Sequence, residues 1–331
     1  AAALCLMLLG SLLSAVSTIV LSMGACEMRA NTYGQLMERA VKSRIRLCGI
    51  SVVDALFCLY LFSAVAAYLI FIAHFLGPLM SRVFGDGVVT DPMIIYVVGL
   101  VIVGPLACRD EMNSMKAAAE CSAIAVLFTC VVVVVKSWHM MEDGVVQECE
   151  DCTQLNISWM SFKAFGSMIY AFDIGSCVPA IASEIKRPTH GMLIKASALA
   201  FTCVFTIYSI LAFSVYFAFK GHRWPDGRVG TLDDFTQNFP KDDPWMCACR
   251  FVLTWTFLCA TTLVCVPAMK SLVLIAGQMM GRESWAPTGH QRVLFTYVAL
   301  AVPVTVAAHC GEIGTFVSLL GSIFGCPEML A

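Results

Sequence analysis

Charged residues are scarce in this chain, and their scarcity excludes an ordinary water-soluble fold. They make up 13% of the 331 residues, whereas 59% of the residues are hydrophobic and the mean hydropathy is +0.80. Soluble globular domains carry about 25% charged residues. The composition therefore predicts an all-α polytopic membrane protein, with residues 1–331 forming a single transmembrane domain and no separate soluble domain.

Several motifs of catalytic and metal-binding proteins are missing as well. The sequence has no glycine-rich phosphate loop, no paired zinc-type cysteine motifs and no HExxH helix. No metal site, catalytic residue or cofactor is therefore predicted. The net charge of −2 gives no reason to expect a nucleic acid as partner. The expected partner is the lipid bilayer, and the oligomeric state is left open.

The 17 cysteines are many, but most of them lie inside apolar runs, where cysteine behaves as a small hydrophobic residue. Cys149 and Cys152 are the exception, because they stand in a polar loop and are candidates for a disulfide. The same loop carries a glycosylation sequon at Asn156. Together these features predict that the loop is extracytoplasmic.

Stretches long enough to cross a bilayer recur along the chain. A spanning helix needs about 20 mostly apolar residues, and this criterion predicts nine spans: 3–24, 49–77, 92–108, 117–137, 161–183, 192–219, 248–276, 292–309 and 313–331. The chain begins without methionine and both ends are apolar. We therefore expect sequence to be missing at both ends.

Loop charges predict the orientation of the spans. Basic residues are concentrated in loop 25–48 and in the loops on the same side, whereas the opposite loops, including 138–160 and 220–247, are mainly acidic. By the positive-inside rule, loop 25–48 is cytoplasmic and loop 138–160 is extracytoplasmic. The acids of loop 220–247, which have only His222 as a histidine nearby in sequence, are expected to be solvated. Plasma and organelle membranes are not distinguished.

The fifth span, 161–183, contains the most informative residues. Gly175 and Pro179 weaken it as a continuous helix, and Asp173 lies inside the interruption. A broken helix with a carboxylate is costly in lipid unless it faces protein or a water-filled cavity. The pattern predicts a discontinuous helix at a solute site. Asp173 could neutralise a cationic substrate group, accept a coupled proton or cap the second half-helix.

Polar residues in two other spans are further candidates. Tyr60 and Ser63 share one face of the second span and could line a pathway. Thr261 and Thr262 lie in the middle of the seventh span, where their hydroxyls could hold a cation or bond back to their own helix. Asp54, near the cytoplasmic end of the second span, is expected to reach water or Arg46.

Short motifs spread along the chain resemble the amino acid/auxin permease family. They include the run Tyr170–Phe172 with a following glycine, the Glu-x-Lys-x-Pro motif at 184–188, Tyr33 with Leu36, and Pro267. The resemblance implies two inverted five-helix repeats whose first and sixth helices are unwound around the substrate. On that alignment residues 3–24 correspond to the second helix and 161–183 to the sixth, and the first helix and the C-terminal end are absent from this chain.

The resemblance implies secondary active transport of amino acids by alternating access, coupled to H⁺ or Na⁺. We predict substrate binding by Tyr170, Ala171, Phe172, Asp173, Gly175, Ser176, Tyr60 and Ser63, and ion coupling by Asp173, Thr261 and Thr262. Asp173 departs from the small residue that the family would have at this position. The alternatives are a membrane-embedded enzyme such as a transferase, a truncated remnant that does not transport, and a receptor or channel. Nine spans with a broken fifth helix favour a transporter over a receptor or channel.

Overall fold

Almost all of the backbone that the structure describes is helical. The computed structural model describes residues 2–28, 30, 32–41, 46–47, 50–85, 87–108, 116–142, 159–173, 175–185, 189–224, 227, 229–232, 234–282, 285–310 and 313–325. In this part of the chain the helices are α1 (Ala2–Met28), α2 (Tyr33–Val41), α3 (Val52–Phe84), α4 (Pro92–Ala107), α5 (Lys116–Glu142), α6 (Trp159–Ala171), α7 (Val178–Glu184), α8 (His190–Phe219), α9 (Pro244–Met279), α10 (Gly289–His309) and α11 (Ile313–Leu320). A two-residue antiparallel ribbon, β1 (Arg46–Leu47) with β2 (Ile50–Ser51), precedes α3.

Each of the nine predicted spans falls on one or two of these helices. Among the described residues, six helices are long and apolar enough to cross a membrane, and α4 and the last helix are shorter apolar segments. The second span continues beyond its predicted end at residue 77, through Pro78, and stops at Gly85, whose positive φ of 74° ends the helix. The short amphipathic helix α2 was not predicted.

The core of the bundle is formed by α3 and α9, which share the most extensive contact of any two helices. Their buried side chains include Leu61, Val65 and Ile70 from α3 and Cys265 and Ala268 from α9. The peripheral helices instead expose large apolar side chains, as expected of surfaces that face lipid. Examples are Val16, Val20, Val131, Leu199 and Leu294, each more than 60% exposed.

Two glycines allow the last helix to cross α6 at very short distance. A Cβ atom at Gly321, in the π-helical turn Gly321–Gly325, would lie 1.8 Å from the carbonyl oxygen of Gly166 on α6. A Cβ atom at Gly166 would lie 2.5 Å from the carbonyl oxygen of Ser318. Small residues at such crossings let two backbones approach within a membrane. This contact holds α11 against the helix that contains the predicted break.

Loop 220–247 packs into the bundle at its predicted outer end, so the expectation of a solvated acidic loop is wrong for Asp234. This residue is 6% exposed, and its Oδ1 accepts hydrogen bonds from the backbone amide and the hydroxyl of Thr236. His74 of α3 lies 4.0 Å from Asp234 Oδ2, a neighbour that sequence proximity did not indicate. Burial raises the pKa of the Asp234 carboxyl, against the opposing effects of these hydrogen bonds and of His74 and Arg250.

Arg250, in the second turn of α9, ties this loop to the bundle. It is 1% exposed, and its guanidinium donates to the backbone carbonyl oxygens of Thr236 at 2.9 Å and of Lys241 at 3.2 Å. A buried charge needs such partners, because its transfer from water is costly. The loop therefore folds around the arginine.

We expect Gly321→Ala to destabilise the protein. The added methyl group would overlap the Gly166 carbonyl and push α11 away from α6, a form of overpacking that costs about 1–3 kcal/mol. The thermal midpoint of the purified protein in detergent should fall. Gly191→Ala in α8 is the matched control, since nothing lies within 4 Å of its added Cβ. Equal melting of the two variants would contradict the close crossing.

Asp243 should make stability depend on pH. It caps α9 through the backbone amides of Trp245 and Met246, and it pairs with the Lys136 ammonium of α5. Burial would raise the pKa of this carboxyl, but the hydrogen bond and charge of Lys136, together with the two amides, outweigh burial and lower it below the ordinary 3.8. A lowered pKa stabilises the fold above pH 3.8, and this contribution is lost as the pH falls through the folded-state pKa.

Asp243→Asn keeps an oxygen for capping but removes the charge. The variant should melt below the wild type near neutral pH, and the difference should shrink to nothing as the pH falls below 3.8. Thermal unfolding in detergent across this pH range measures the difference in melting temperature between the variant and the wild type. Asp242→Asn, at the exposed neighbouring residue, is the control and should show no such trend. A difference for Asp243→Asn that does not vary with pH would refute the ion pair.

Candidate functional site

The predicted interruption of the fifth span is present. Helix α6 ends at Ala171, Phe172 and Asp173 leave the helical path, a 3-10 turn spans Gly175–Cys177, and α7 begins at Val178. The first half ends with bonds from the amide of Phe172 to the carbonyls of Met168 and Ile169. The amide of Asp173 then bonds to the carbonyl of Tyr170, and all three bonds are 3.2 Å long. Pro179 stands in the first turn of α7, where its missing N–H costs nothing.

Asp173 is bound from across the bundle by α3. The hydroxyl of Tyr60 donates a hydrogen bond to Asp173 Oδ2. Tyr60 is 3% exposed, so this bond to a carboxylate forms in a largely dry environment, where charge-assisted bonds are strong. Two residues predicted for one site are thus in direct contact. Asp173 does not cap α7, because the N-cap of that helix is Cys177, which has no capping side-chain bond among the described residues.

A second cross-bundle contact involves a residue that the sequence analysis did not assign to the site. The hydroxyl of Tyr33, on α2, donates to the carbonyl oxygen of Gly175 at 2.8 Å. The Tyr33 ring packs on Phe57 of α3 with ring centroids 4.5 Å apart. Tyr33 was noted only as part of a family motif. Nothing in the sequence around Tyr33 indicates a partner 142 residues away.

Asp54 explains why α2 lies where Tyr33 can reach the break. The expectation that Asp54 reaches water is wrong, because Asp54 is 2% exposed and its Oδ1 accepts from the backbone amide of Gly34 at 3.0 Å. The side chain of Arg46, the other expected partner, lies outside the described residues. A Cβ atom at Gly34 would lie 1.9 Å from Asp54 Oδ2, so only glycine admits this contact. The carboxylate thereby docks the start of α2 on the first turn of α3.

The aromatic residues of the break are packed in different ways. Phe172 is 1% exposed and its ring lies 5.6 Å from that of Tyr208 on α8. The Tyr170 hydroxyl is buried beside two polar groups, the phenol of Tyr68 and the carboxylate of Asp173. Tyr170 therefore adds a buried hydroxyl to the polar groups at the break.

The remaining predicted residues are less closely tied to the break. Ala171 is exposed, and of Ser176 only the backbone position in the 3-10 turn is described. The hydroxyl of Ser63 bonds back to the Leu59 carbonyl at 2.9 Å. Those of Thr261 and Thr262 bond back to Phe257 at 2.6 Å and Leu258 at 3.0 Å. The predicted substrate and ion roles of these residues remain predictions.

Three further predicted residues lie outside the described residues: the sequon Asn156 and the disulfide candidates Cys149 and Cys152. Nothing in the structure bears on the glycosylation or the disulfide. Both stay predictions from the sequence.

The fold has a solved counterpart in MhsT, whose crystal structure is a complex with L-phenylalanine. The two structures align with a TM-score of 0.59 over 99% of this chain and 81% of the MhsT chain, at 12% sequence identity. Identity this low establishes the fold alone. The predicted architecture, the inverted five-helix-repeat transporter fold, is thereby confirmed.

Two curated relatives are both named as amino acid transporters, AAT1. The one from Toxoplasma gondii (strain ATCC 50611 / Me49) is 23% identical over 270 residues, which is 81% of this chain and 35% of the relative. The one from Plasmodium berghei (strain Anka) is 20% identical over 268 residues, 81% of this chain and 41% of the relative. The chain thus spans well under half the length of either relative.

The sequence profile of a whole family also matches. The family described as "Transmembrane amino acid transporter protein" matches residues 1–330 of this chain. The membership inferred from scattered motifs is therefore confirmed over essentially the whole sequence. The chain is a multi-pass membrane protein that belongs to the transmembrane amino acid transporter family.

Proposed function

We propose that this chain carries out secondary active transport of amino acids, coupled to H⁺ or Na⁺, with the substrate bound at the break between α6 and α7. The observation that carries the proposal is the pair of cross-bundle hydrogen bonds at this break, Tyr60 to Asp173 and Tyr33 to the Gly175 carbonyl. The names of the AAT1 relatives and the L-phenylalanine bound to MhsT support an amino acid as the substrate class.

The polar groups of the break suit both ends of an amino acid. At neutral pH the substrate carries an ammonium and a carboxylate group. The Asp173 carboxylate would attract the ammonium group, while the buried hydroxyl of Tyr170 would donate to the carboxylate. Phe172, packed on Tyr208, would close one wall of the site. Apolar surroundings strengthen each of these contacts, because charges interact more strongly where water is excluded.

Alternating access would use the division between a rigid core and the broken helix. Helices α3 and α9 form the most extensive helix–helix contact. Helices α6 and α7 are two short halves joined by residues 172–177, of which the five described residues are not α-helical. Because Tyr60 and Tyr33 reach the break from other helices, their bonds to it can form in one state and break in the other. Rocking of one group of helices against the other around a fixed site is the usual motion in such folds.

For ion coupling we propose Asp173, Thr261 and Thr262. A carboxyl group that is protonated in one state can carry H⁺ with the substrate. The two threonines are buried on α9, and hydroxyl oxygens that donate to their own helix keep acceptor capacity for a cation. We further propose the orientation given by loop charge, with loop 25–48 cytoplasmic and loop 138–160 outside.

We do not propose catalysis. The polar group that most resembles a catalytic cluster is His74, Asp234 and Arg250 at the outer end. Arg250 there binds backbone carbonyl oxygens and Asp234 caps the turn at Thr236. These contacts account for the cluster as a means of folding the loop.

Asp173→Asn should abolish amino acid uptake or change its substrate preference while leaving expression intact. A hydrogen bond to a charged group contributes about 1.5–3 kcal/mol, so Tyr60→Phe should weaken uptake by about tenfold to a hundredfold. The measurement is uptake of a panel of labelled amino acids into vesicles containing the protein made from its full-length gene, with and without pH and Na⁺ gradients.

Ser214→Ala is the control for these variants, because the Ser214 hydroxyl on α8 bonds back to Ile210 of its own helix and has no predicted role at the site. It should transport like the wild type. Unchanged kinetics in Asp173→Asn would sink the proposed site. Loss of the pH-gradient effect, with uptake otherwise retained, would assign Asp173 to the proton instead of the substrate.

A cation role for Thr261 and Thr262 has its own test. Replacing both by valine keeps the shape of each side chain and removes the oxygen ligands. If they bind Na⁺, the Na⁺ concentration for half-maximal uptake should rise about tenfold or more, while the dependence on substrate at saturating Na⁺ changes little. Thr256→Val is the matched control, since Thr256 bonds back to Val252 in the same way. Identical Na⁺ curves would remove both residues from the coupling site.

A further inference from the structure

The short helix α2 binds the half of the broken span that follows the break. The Tyr33 hydroxyl, at the start of α2, donates to the carbonyl oxygen of Gly175 at 2.8 Å. Gly175 is the first residue of the 3-10 turn that leads into α7, and both the turn and α7 pack on α1. Helix α2 thus joins this half-helix to the rest of the bundle.

The order of the spans puts α2 on the side of the membrane toward which α7 runs. Helix α2 belongs to loop 25–48, and α7 leads to the motif at 184–188. Four predicted spans separate these two segments, an even number, so both lie on the same side. The proposed orientation places that side in the cytoplasm. The hydrogen bond between Tyr33 and Gly175 therefore lies on the cytoplasmic side of the break.

Two contacts with other helices hold α2 in this position. The Asp54 carboxylate of α3 accepts from the amide of Gly34, the residue next to Tyr33, at 3.0 Å. Toward the other end of α2, the Arg39 guanidinium donates to the carbonyl oxygen of Met28, the last residue of α1. The position of the Tyr33 hydroxyl is therefore determined by α1 and α3 as well as by the break.

The two hydrogen bonds at the start of α2 differ in what their loss would cost. A bond between neutral groups, such as that from Tyr33 to Gly175, contributes little net free energy where water can replace the lost partner. The Asp54 carboxylate is buried, and a buried charge that loses its donor is costly. A conformational change at the break should therefore separate Tyr33 from Gly175 and leave α2 on α3.

We propose that α2 is the inner gate of this transporter. The hydrogen bond from Tyr33 to Gly175 closes the cytoplasmic side of the break, and its loss lets the turn Gly175–Cys177 and α7 move away from α2. In the structure the gate is closed. This inference rests on the proposed transport function and adds to it a residue that controls access to the site. Tyr33 acts as a positioning residue, because it binds the backbone of the broken helix.

Tyr33→Phe tests the gate, because it keeps the ring that packs on Phe57 and removes only the hydroxyl. Cys177 is half-buried and packs on Val266 of α9, so movement of the turn should expose its thiol. The measurement is the rate at which a charged, membrane-impermeant maleimide alkylates Cys177 in vesicles, read by mass spectrometry of the peptide that contains it. With the reagent on the cytoplasmic face, this rate should rise about threefold to tenfold, the effect of losing one neutral hydrogen bond.

Two controls separate gate opening from general loosening of the fold. Ser214→Ala removes a hydroxyl that bonds back to Ile210 of its own helix, and it should leave the labelling of Cys177 unchanged. Cys310 follows α10 at the opposite end of the bundle and is also half-buried. Its rate, measured with the reagent on the outer face, should be equal in wild type and Tyr33→Phe. A rise at both cysteines overturns the gate.

Gly34→Ala opens the gate by a second route. A Cβ atom at Gly34 would lie 1.9 Å from Asp54 Oδ2, so the variant should displace α2 and raise the labelling of Cys177 as Tyr33→Phe does. The double variant should react no faster than the more reactive single variant, because both changes break the same bond. Unchanged labelling in Tyr33→Phe, or additive effects in the double variant, overturns the proposal.

Labelling needs no substrate, so the gate and the transport function can fail separately. The protein made from its full-length gene is used for both labelling and uptake. If the wild type takes up no amino acid while Tyr33→Phe raises the labelling of Cys177, the movement of the turn is supported and the transport proposal fails. If uptake is present and the labelling is unchanged, the transport proposal is supported and the gate fails.

Discussion

The structure depends on one constraint: a helix that is broken inside a membrane must have its exposed polar groups bound by protein, because lipid offers no partners. Here the break lies at Phe172 and Asp173. The Tyr60 hydroxyl binds the carboxylate, and the Tyr33 hydroxyl binds the Gly175 carbonyl. Both donors are phenols, which combine a rigid apolar ring that packs in the bundle with a single polar tip. The break is therefore stabilised by specific hydrogen bonds from other helices of the fold.

The positions of these two donors follow from contacts made elsewhere. Tyr60 lies on α3, whose packing against α9 leaves it little freedom. Tyr33 lies on a helix of only nine residues, which is too short to be stable alone. That helix is held by the Asp54 carboxylate at the amide of Gly34. The buried carboxylate of Asp54, which lies outside the site, thus determines where Tyr33 lies within it.

The basic residues at the two ends of α9, Arg250 and Lys270, have different surroundings. Arg250, before the uncharged stretch 251–269, is enclosed by the carbonyl groups of a folded loop. Lys270, after that stretch, lines a cavity with Arg292. A guanidinium can be satisfied by several carbonyl oxygens at once because its donors are fixed in a plane. The Arg250 end of the helix is consequently covered by the folded loop, while the Lys270 end lies at a cavity.

The sequence by itself determined the nine apolar spans, the broken fifth span with Asp173 in the gap, and the family, but not the short helix α2. These properties follow from bilayer thickness and from local effects of glycine, proline and charge. Only the tertiary structure decided which groups these polar side chains contact. Tyr33 bonds to a residue 142 positions away. Asp54 binds the amide of Gly34 instead of the expected water, and His74 lies beside Asp234. No local pattern encodes such pairs, because they depend on which helices become neighbours once the whole bundle has packed.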